Sequence, residues 1–283
     1  MPTVTGFTVD VMQAAIIACL VAVSFYVVLA VFRVYNMAHG EFVMIGGFAT
    51  SYSFELGTGW VGGIIITVAL CGLLAGAIAV PLLHVSKRDE SAGLLFTWGI
   101  SLSIVQSIRL VIGTSGVSAN IAPGVPHTIF GATVPGHTVY LISWASILVV
   151  SLCILWSKGP LATHFRAVKD NPELASKLGL NTPAIKMGAF VVSAVVAGLT
   201  GVLITPLVAI SPSMGSRYTV LAVLTVLTFG GGSITHVVGA AFVLAMVRCT
   251  IEYFSSPSLA VAGMFVFVFT MLLLRRLWKG AGQ

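Results

Sequence analysis

Asn36-Met37-Ala38-His39-Gly40-Glu41 lies between two apolar runs, and its reading decides what fold this chain can adopt. Ionisable side chains are expensive at membrane depth. They line a water-filled path, pair with each other, or sit at a site. Gly40, between His39 and Glu41, lets a helix break there. Broken helices that line a cavity are a recurring way to build a site inside a bilayer. The hexapeptide therefore predicts an interrupted membrane helix with a polar centre.

The rest of the chain fits that setting. Of its 283 residues, 58% are hydrophobic and 8% charged, and the mean hydropathy is +1.07. Soluble domains carry about 25% charged residues, so composition excludes a soluble fold. The expectation is an all-α, polytopic transmembrane helical bundle with about 8–9 spans, some short or broken. It is a single transmembrane domain over 1–283 without a separate extramembrane core. Cys19, Cys71, Cys153 and Cys249 fall inside apolar runs and read as small buried hydrophobes. They form no disulfide framework or CxxC pair. The first apolar run is too long for a signal-peptide core and reads as a retained transmembrane helix.

A helix needs about 20 apolar residues to cross a bilayer core. Candidate spans are 11–35, 41–56, 60–83, 92–112, 138–157, 185–210, 218–231, 236–254 and 258–274. The segments 41–56 and 218–231 are short. Each adjoins a glycine-rich polar break, at Ala38-His39-Gly40-Glu41 and at Gly230-Gly231-Gly232-Ser233. Such pairs point to an internal repeat with a site between its halves.

Basic residues set the orientation. Lys87 and Arg88, then Lys158, Arg166, Lys169, Lys177 and Lys186, then Arg275, Arg276 and Lys279 mark the cytoplasmic side. The external loop, about 113–137, has no charged residue and holds Pro123, Pro126 and Pro135 with five glycines. It reads as a turn-rich cap with room for a short hairpin. Asp10 and Glu55 are then external, as is the connection holding Arg217. Nine crossings fit, with the N-terminus outside and the C-terminus cytoplasmic. The net charge of +6 reflects topology, and nothing supports a nucleic-acid partner.

Within the cytoplasmic loop, about 158–186, Asp170-Asn171-Pro172-Glu173-Leu174-Ala175-Ser176-Lys177-Leu178-Gly179 carries a full helix grammar. Asn171 is a good N-cap and Pro172 suits the first helical position. Glu173 faces the positive helix end, Lys177 lies in the last turn, and Gly179 is placed to stop the helix. A short helix over 171–179 is predicted. It is either a lever that passes motion to the bundle or an ordinary connector.

Other polar residues keep two readings. Asn36, His39, Gly40 and Glu41 either contact a solute or pin a tight kink by bonding each other and backbone groups. Thr97, Trp98 and Ser101 share a span that could line a path, and packing explains Trp98 equally well. Arg109 fits snorkelling to the interface. Arg248 and Glu252, four apart, read as a self-neutralising pair. His127 and His137 lack neighbours that would make a metal site, and no metal is expected.

Four segments bear a family likeness. They are Val34-Tyr35-Asn36-Met37-Ala38-His39-Gly40-Glu41-Phe42-Val43-Met44-Ile45-Gly46-Gly47, Thr97-Trp98-Gly99-Ile100-Ser101-Leu102-Ser103-Ile104-Val105-Gln106, Arg166 through Gly179, and Phe229-Gly230-Gly231-Gly232-Ser233-Ile234. In order and spacing they resemble the permease subunits of branched-chain amino acid ABC importers. That family also includes permeases for urea and short amides. Thr235-His236 stand where the family usually has proline and glycine, and Trp98 is bulkier than its usual residue.

The resemblance implies an importer subunit without enzymatic activity, in a bacterial-type inner membrane. It implies a second permease subunit (a paralogue or this chain again), two cytosolic ABC ATPases and an external solute-binding protein. Asp170, Asn171, Pro172, Glu173, Ala175, Lys177 and Gly179 would contact the ATPase. Asn36, His39, Gly40, Glu41, Thr97, Trp98, Ser101, Gly231 and Ser233 would line the substrate pathway or gate. No GxxxxGK[ST] pattern occurs in the sequence, so ATP and magnesium fall to the partner subunits and this chain needs no cofactor. Branched-chain or related amino acids lead as cargo, with urea or a short amide as the alternative. Neutral cargo suits an interior offering His39 and no unpaired arginine. An ion-coupled carrier with Glu41 and His39 as proton relay, or a passive channel, would leave the coupling-helix grammar unexplained.

Overall fold

The computed structural model describes residues 4–86, 89–119, 121, 124–129, 132–229 and 232–280. Lys87, Arg88, Gly230 and Gly231 lie outside them. Eleven helices and one hairpin occur among the described residues. Seven helices are long and apolar enough to cross a membrane. They are α1 (Val4–Phe32), α3 (Gly59–Val85), α4 (Glu90–Ile112), α5 (Gly136–Ser157), α8 (Thr182–Ile204), α10 (Ile234–Phe254) and α11 (Pro257–Gly280). Two shorter ones, α2 (His39–Glu55) and α9 (Met214–Phe229), lie within the bundle. The hairpin of β1 (His127–Ile129) and β2 (Ala132–Val134) sits in the uncharged loop, as its turn residues predict.

Helix α1 is the axle. It is apolar all round and the most buried span, as expected for a helix surrounded by others. It packs on α10, α8, α9 and α5. It ends at Arg33, in the left-handed region at φ 57°. The chain then returns into the bundle as the non-helical segment 33–38 before α2 begins.

The bundle contains an inverted repeat. Helices α1 to α4 have 29, 17, 27 and 23 residues. Helices α8 to α11 have 23, 16, 21 and 24. Packing follows the same rule in both sets: α1 on α10 matches α8 on α3, and α9 on α1 matches α2 on α8. The sets run antiparallel. Lys186, early in α8, lies 5.5 Å from the Phe32 ring at the end of α1.

Two expectations need correction. The span read as 185–210 stops at Ile204, because Pro206 cannot continue the helix. Residues 205–213 then re-enter the bundle ahead of α9. They are the counterpart of 33–38. Gly232-Ser233 instead follows the C-terminal end of α9.

Glycines let the short helices approach closely. A methyl group on Gly46 of α2 would strike the backbone oxygen of Gly198 in α8, and one on Gly201 would strike that of Val43. Lipid supplies no hydrophobic drive for helix association, so close van der Waals packing through small residues does that work.

Candidate functional site

The break before α2 lies at mid-depth. Ser101, at the midpoint of α4, donates to Glu41 Oε1 at 2.9 Å. Any non-helical backbone there must find hydrogen-bond partners inside the protein. Two threonines supply most of them. Thr97 Oγ1 of α4 accepts from Met37 N at 3.1 Å and contacts Tyr35 O at 3.3 Å. Thr219 Oγ1 of α9 accepts from Gly40 N at 2.9 Å and lies 3.4 Å from Met37 O. Asn36 closes the turn, its Oδ1 accepting from Ala38 N at 3.1 Å.

His39 is fully buried. Its Nε2 lies 3.2 Å from Val21 O and 3.1 Å from Ser24 Oγ. A carbonyl only accepts, so Nε2 carries the hydrogen. Nδ1 has no partner among the described residues. The Phe25 ring meets the imidazole edge-on at 5.3 Å between centroids. His39 thus bolts the start of α2 to the middle of α1.

Glu41 lies in the first turn of α2, where a carboxylate offsets the positive helix end. Its carboxyl group also lies against Gly215, in the first turn of α9. A Cβ on Gly215 would strike Glu41 Oε2. The N-termini of both half-helices therefore meet around one carboxyl group. Its Oε2 is buried without a partner among the described residues.

Asn36, His39, Gly40, Glu41, Thr97 and Ser101 form one node. Trp98 does not join them. It is 53% exposed on the outer side of α4. Ser233 is remote from the node. Its Oγ lies 2.7 Å from Thr235 Oγ1 and 3.0 Å from His236 Nδ1. Gly231 lies outside the described residues.

Sequence reasoning missed Ser24, Thr219, Gly215 and Arg217. Arg217, assigned to an outer connection, is in the first turn of α9 and exposed. It makes no ion pair among the described residues. Pro206 and Pro212 were the available signal that this stretch is interrupted.

The second site is the basic loop. Residues 159–170 form α6 (Gly159–Asp170), an amphipathic helix that no motif announced, followed by α7 (Pro172–Lys177). Asn171 Oδ1 accepts from Leu174 N at 2.9 Å. Gly179 takes φ +88°, and its N–H donates to Ser176 O at 3.0 Å. Glu173 and Lys177 pair at 3.0 Å on the solvent face, and Ala175 is buried. Arg33 donates to the carbonyls of Lys169 and Asp170 at 3.2 and 3.4 Å. Lys169 Nζ donates to Tyr26 OH at 2.9 Å and Gly232 O at 3.0 Å. The loop is thereby tied to α1 and to the turn between α9 and α10.

Residues 7–274 match the family model described as branched-chain amino acid transport system / permease component. The chain belongs to this family. The branched-chain amino acid permease protein LivH of Escherichia coli K12 is 26% identical, with 65% of each chain covered. Its Salmonella typhimurium counterpart is 24% identical at the same coverage. The chain thus spans 65% of the length of these relatives. A solved structure of PsaBC from Streptococcus pneumoniae in complex with Fab shares the fold, with a TM-score of 0.54 at 12% identity. It covers 94% of this chain and 90% of that one. In this chain the node at Asn36–Glu41 is a buried frame for two half-helices, and α7 is exposed apart from Ala175 and the half-buried Pro172.

Proposed function

We propose that the chain is the membrane-spanning subunit of an ABC importer that carries branched-chain or related amino acids across a bacterial-type inner membrane. One observation carries this reading. The exposed, fully capped α7 follows directly on the last turn of α6, which Arg33 and Lys169 tie to α1 and to the α9–α10 turn. A plain connector needs no such ties, whereas a lever driven by a cytosolic ATPase does. The basic face is then cytoplasmic, and the face with the β1–β2 hairpin meets an external solute-binding protein. A second permease subunit completes the pore.

Co-purification from native membranes with mass spectrometry tests the proposal. Recovery of a Walker A ATPase and a second permease subunit supports it. Recovery of this chain alone, conducting solute in proteoliposomes without ATP, overturns it in favour of a channel or secondary carrier.

A further inference from the structure

Helix α5 carries an exposed stripe along its length. Tyr140, Trp144, Ile147, Ser151 and Ile154 recur at alternating spacings of four and three, and each is exposed. One spacing further on stands Lys158, the exposed C-cap of α5. From Ile147 to Lys158 is about 16 Å at 1.5 Å per residue. That is about half of a 30 Å hydrocarbon core, the depth of one leaflet. Helix α6 then turns across the base of the bundle. Its Phe165 ring lies 4.7 Å from the Trp156 ring of α5, and Arg166 Nη2 donates to Ser157 O at 2.6 Å. Its far end accepts from Arg33, just past α1. Contacts with the ends of two spans hold α6 flat on the basic face. Leu161 and Val168, seven apart, share the apolar face of α6. Val168 is buried, whereas Leu161 is 53% exposed. An amphipathic helix with an uncovered apolar residue beside cations suits the headgroup boundary.

The bond to Ser157 O sets Arg166 beside Lys158, the next residue in the chain. Both cations are exposed, and neither makes an ion pair among the described residues. No acidic residue occurs between Glu90 and Asp170, and Asp170 lies at the opposite end of α6. The stripe thus ends, at headgroup depth, on two cations with no acid to neutralise them. We infer that the α5–α6 junction binds an anionic phospholipid of the adjoining leaflet, with phosphatidylglycerol as the simplest example. One acyl chain lies along Ile147 to Ile154, Lys158 and Arg166 take the headgroup phosphate, and Leu161 dips into the boundary beside it. Basic residues at a membrane surface favour lipids with net negative charge. Phosphatidylcholine has the same phosphate with a cation of its own and gains less. Neither the cargo nor the ATPase enters this recognition. A lipid held there braces α6, and hence the start of α7, against the membrane.

The test is native mass spectrometry of the purified full chain, titrated with phosphatidylglycerol and with phosphatidylcholine of the same acyl chains. The wild type should prefer phosphatidylglycerol. Lys158→Gln and Arg166→Gln should each weaken it about fivefold, and the double variant should lose the preference. Lys158→Arg should keep wild-type affinity. Lys177→Gln, a cation of the same loop already paired with Glu173, should leave it unchanged. Arg166→Gln also removes the bond to Ser157 O, so Lys158→Gln carries the test if that variant fails to fold. Equal binding of phosphatidylcholine by all variants shows that the fold is kept. A wild type without preference, or a preference that survives in the Lys158→Gln and double variants, overturns the site. So does an Ile154→Cys variant that cross-links to another protein chain in native membranes, because a protein and not a lipid then covers the stripe.

Discussion

At the residue scale, the central node shows how polar groups survive at mid-depth. Thr97 and Thr219 cover the backbone of 35–40, and His39 holds α2 to α1 through Val21 and Ser24. Unsatisfied backbone groups in a dry interior cost about 1–3 kcal/mol each. Thr219→Val should therefore lower the unfolding temperature of the purified subunit, while Thr219→Ser should hold it near wild type. Equal stability of both variants would refute the capping role. The Glu41–Gly215 contact gives a sharper prediction. Gly215→Ala drives a methyl into the carboxyl group and should cost about 1–3 kcal/mol as overpacking does. Adding Glu41→Ala should recover much of that loss. A double variant no better than the single one would show that another clash dominates.

At the element scale, the coupling segment depends on its caps. Asn171→Ala removes the bond to Leu174 N and should cost about 1 kcal/mol of local helix stability. Gly179→Ala forces a side chain into the left-handed region at φ +88°, at about 1–2 kcal/mol. Under the proposed function, both should reduce uptake while the subunit still inserts, and Glu173→Arg or Gly179→Pro should abolish it. ATPase activity and leucine uptake measured together on one preparation decide the point. Normal uptake in all four variants excludes a lever role for α7. Lys169→Met, which cuts the ties to Tyr26 and Gly232, should leave ATP hydrolysis running with less uptake per ATP.

At the scale of the whole molecule, the inverted repeat makes α4 and α11 equivalent outer helices. They are the least buried of the long spans. Trp98 and Leu102 on α4, at 53% and 56% exposure, need a covering partner or lipid. If α4 faces the second permease subunit, Trp98→Cys should form a cross-link to that subunit in native membranes. Labelling of this cysteine by a lipid-phase reagent, without any cross-link, would assign that face to the bilayer instead.

The sequence alone settled what depends on neighbours along the chain. Hydropathy identified a multi-pass helical bundle. The cap residues around 171–179 marked α7, and the turn residues of 113–137 marked the hairpin. The short segments 41–56 and 218–231 announced a repeat. What escaped depends on approach across the bundle. The segment 205–213 is apolar enough to be read as more of α8, so its return to mid-depth was not visible in hydropathy. Only the folded packing brings Gly215 against Glu41 and Thr219 onto Gly40. Local periodicity and capping record how each helix forms. They do not record which helix it touches, because contact is set by small residues far apart in sequence whose backbones can come close only in the assembled bundle.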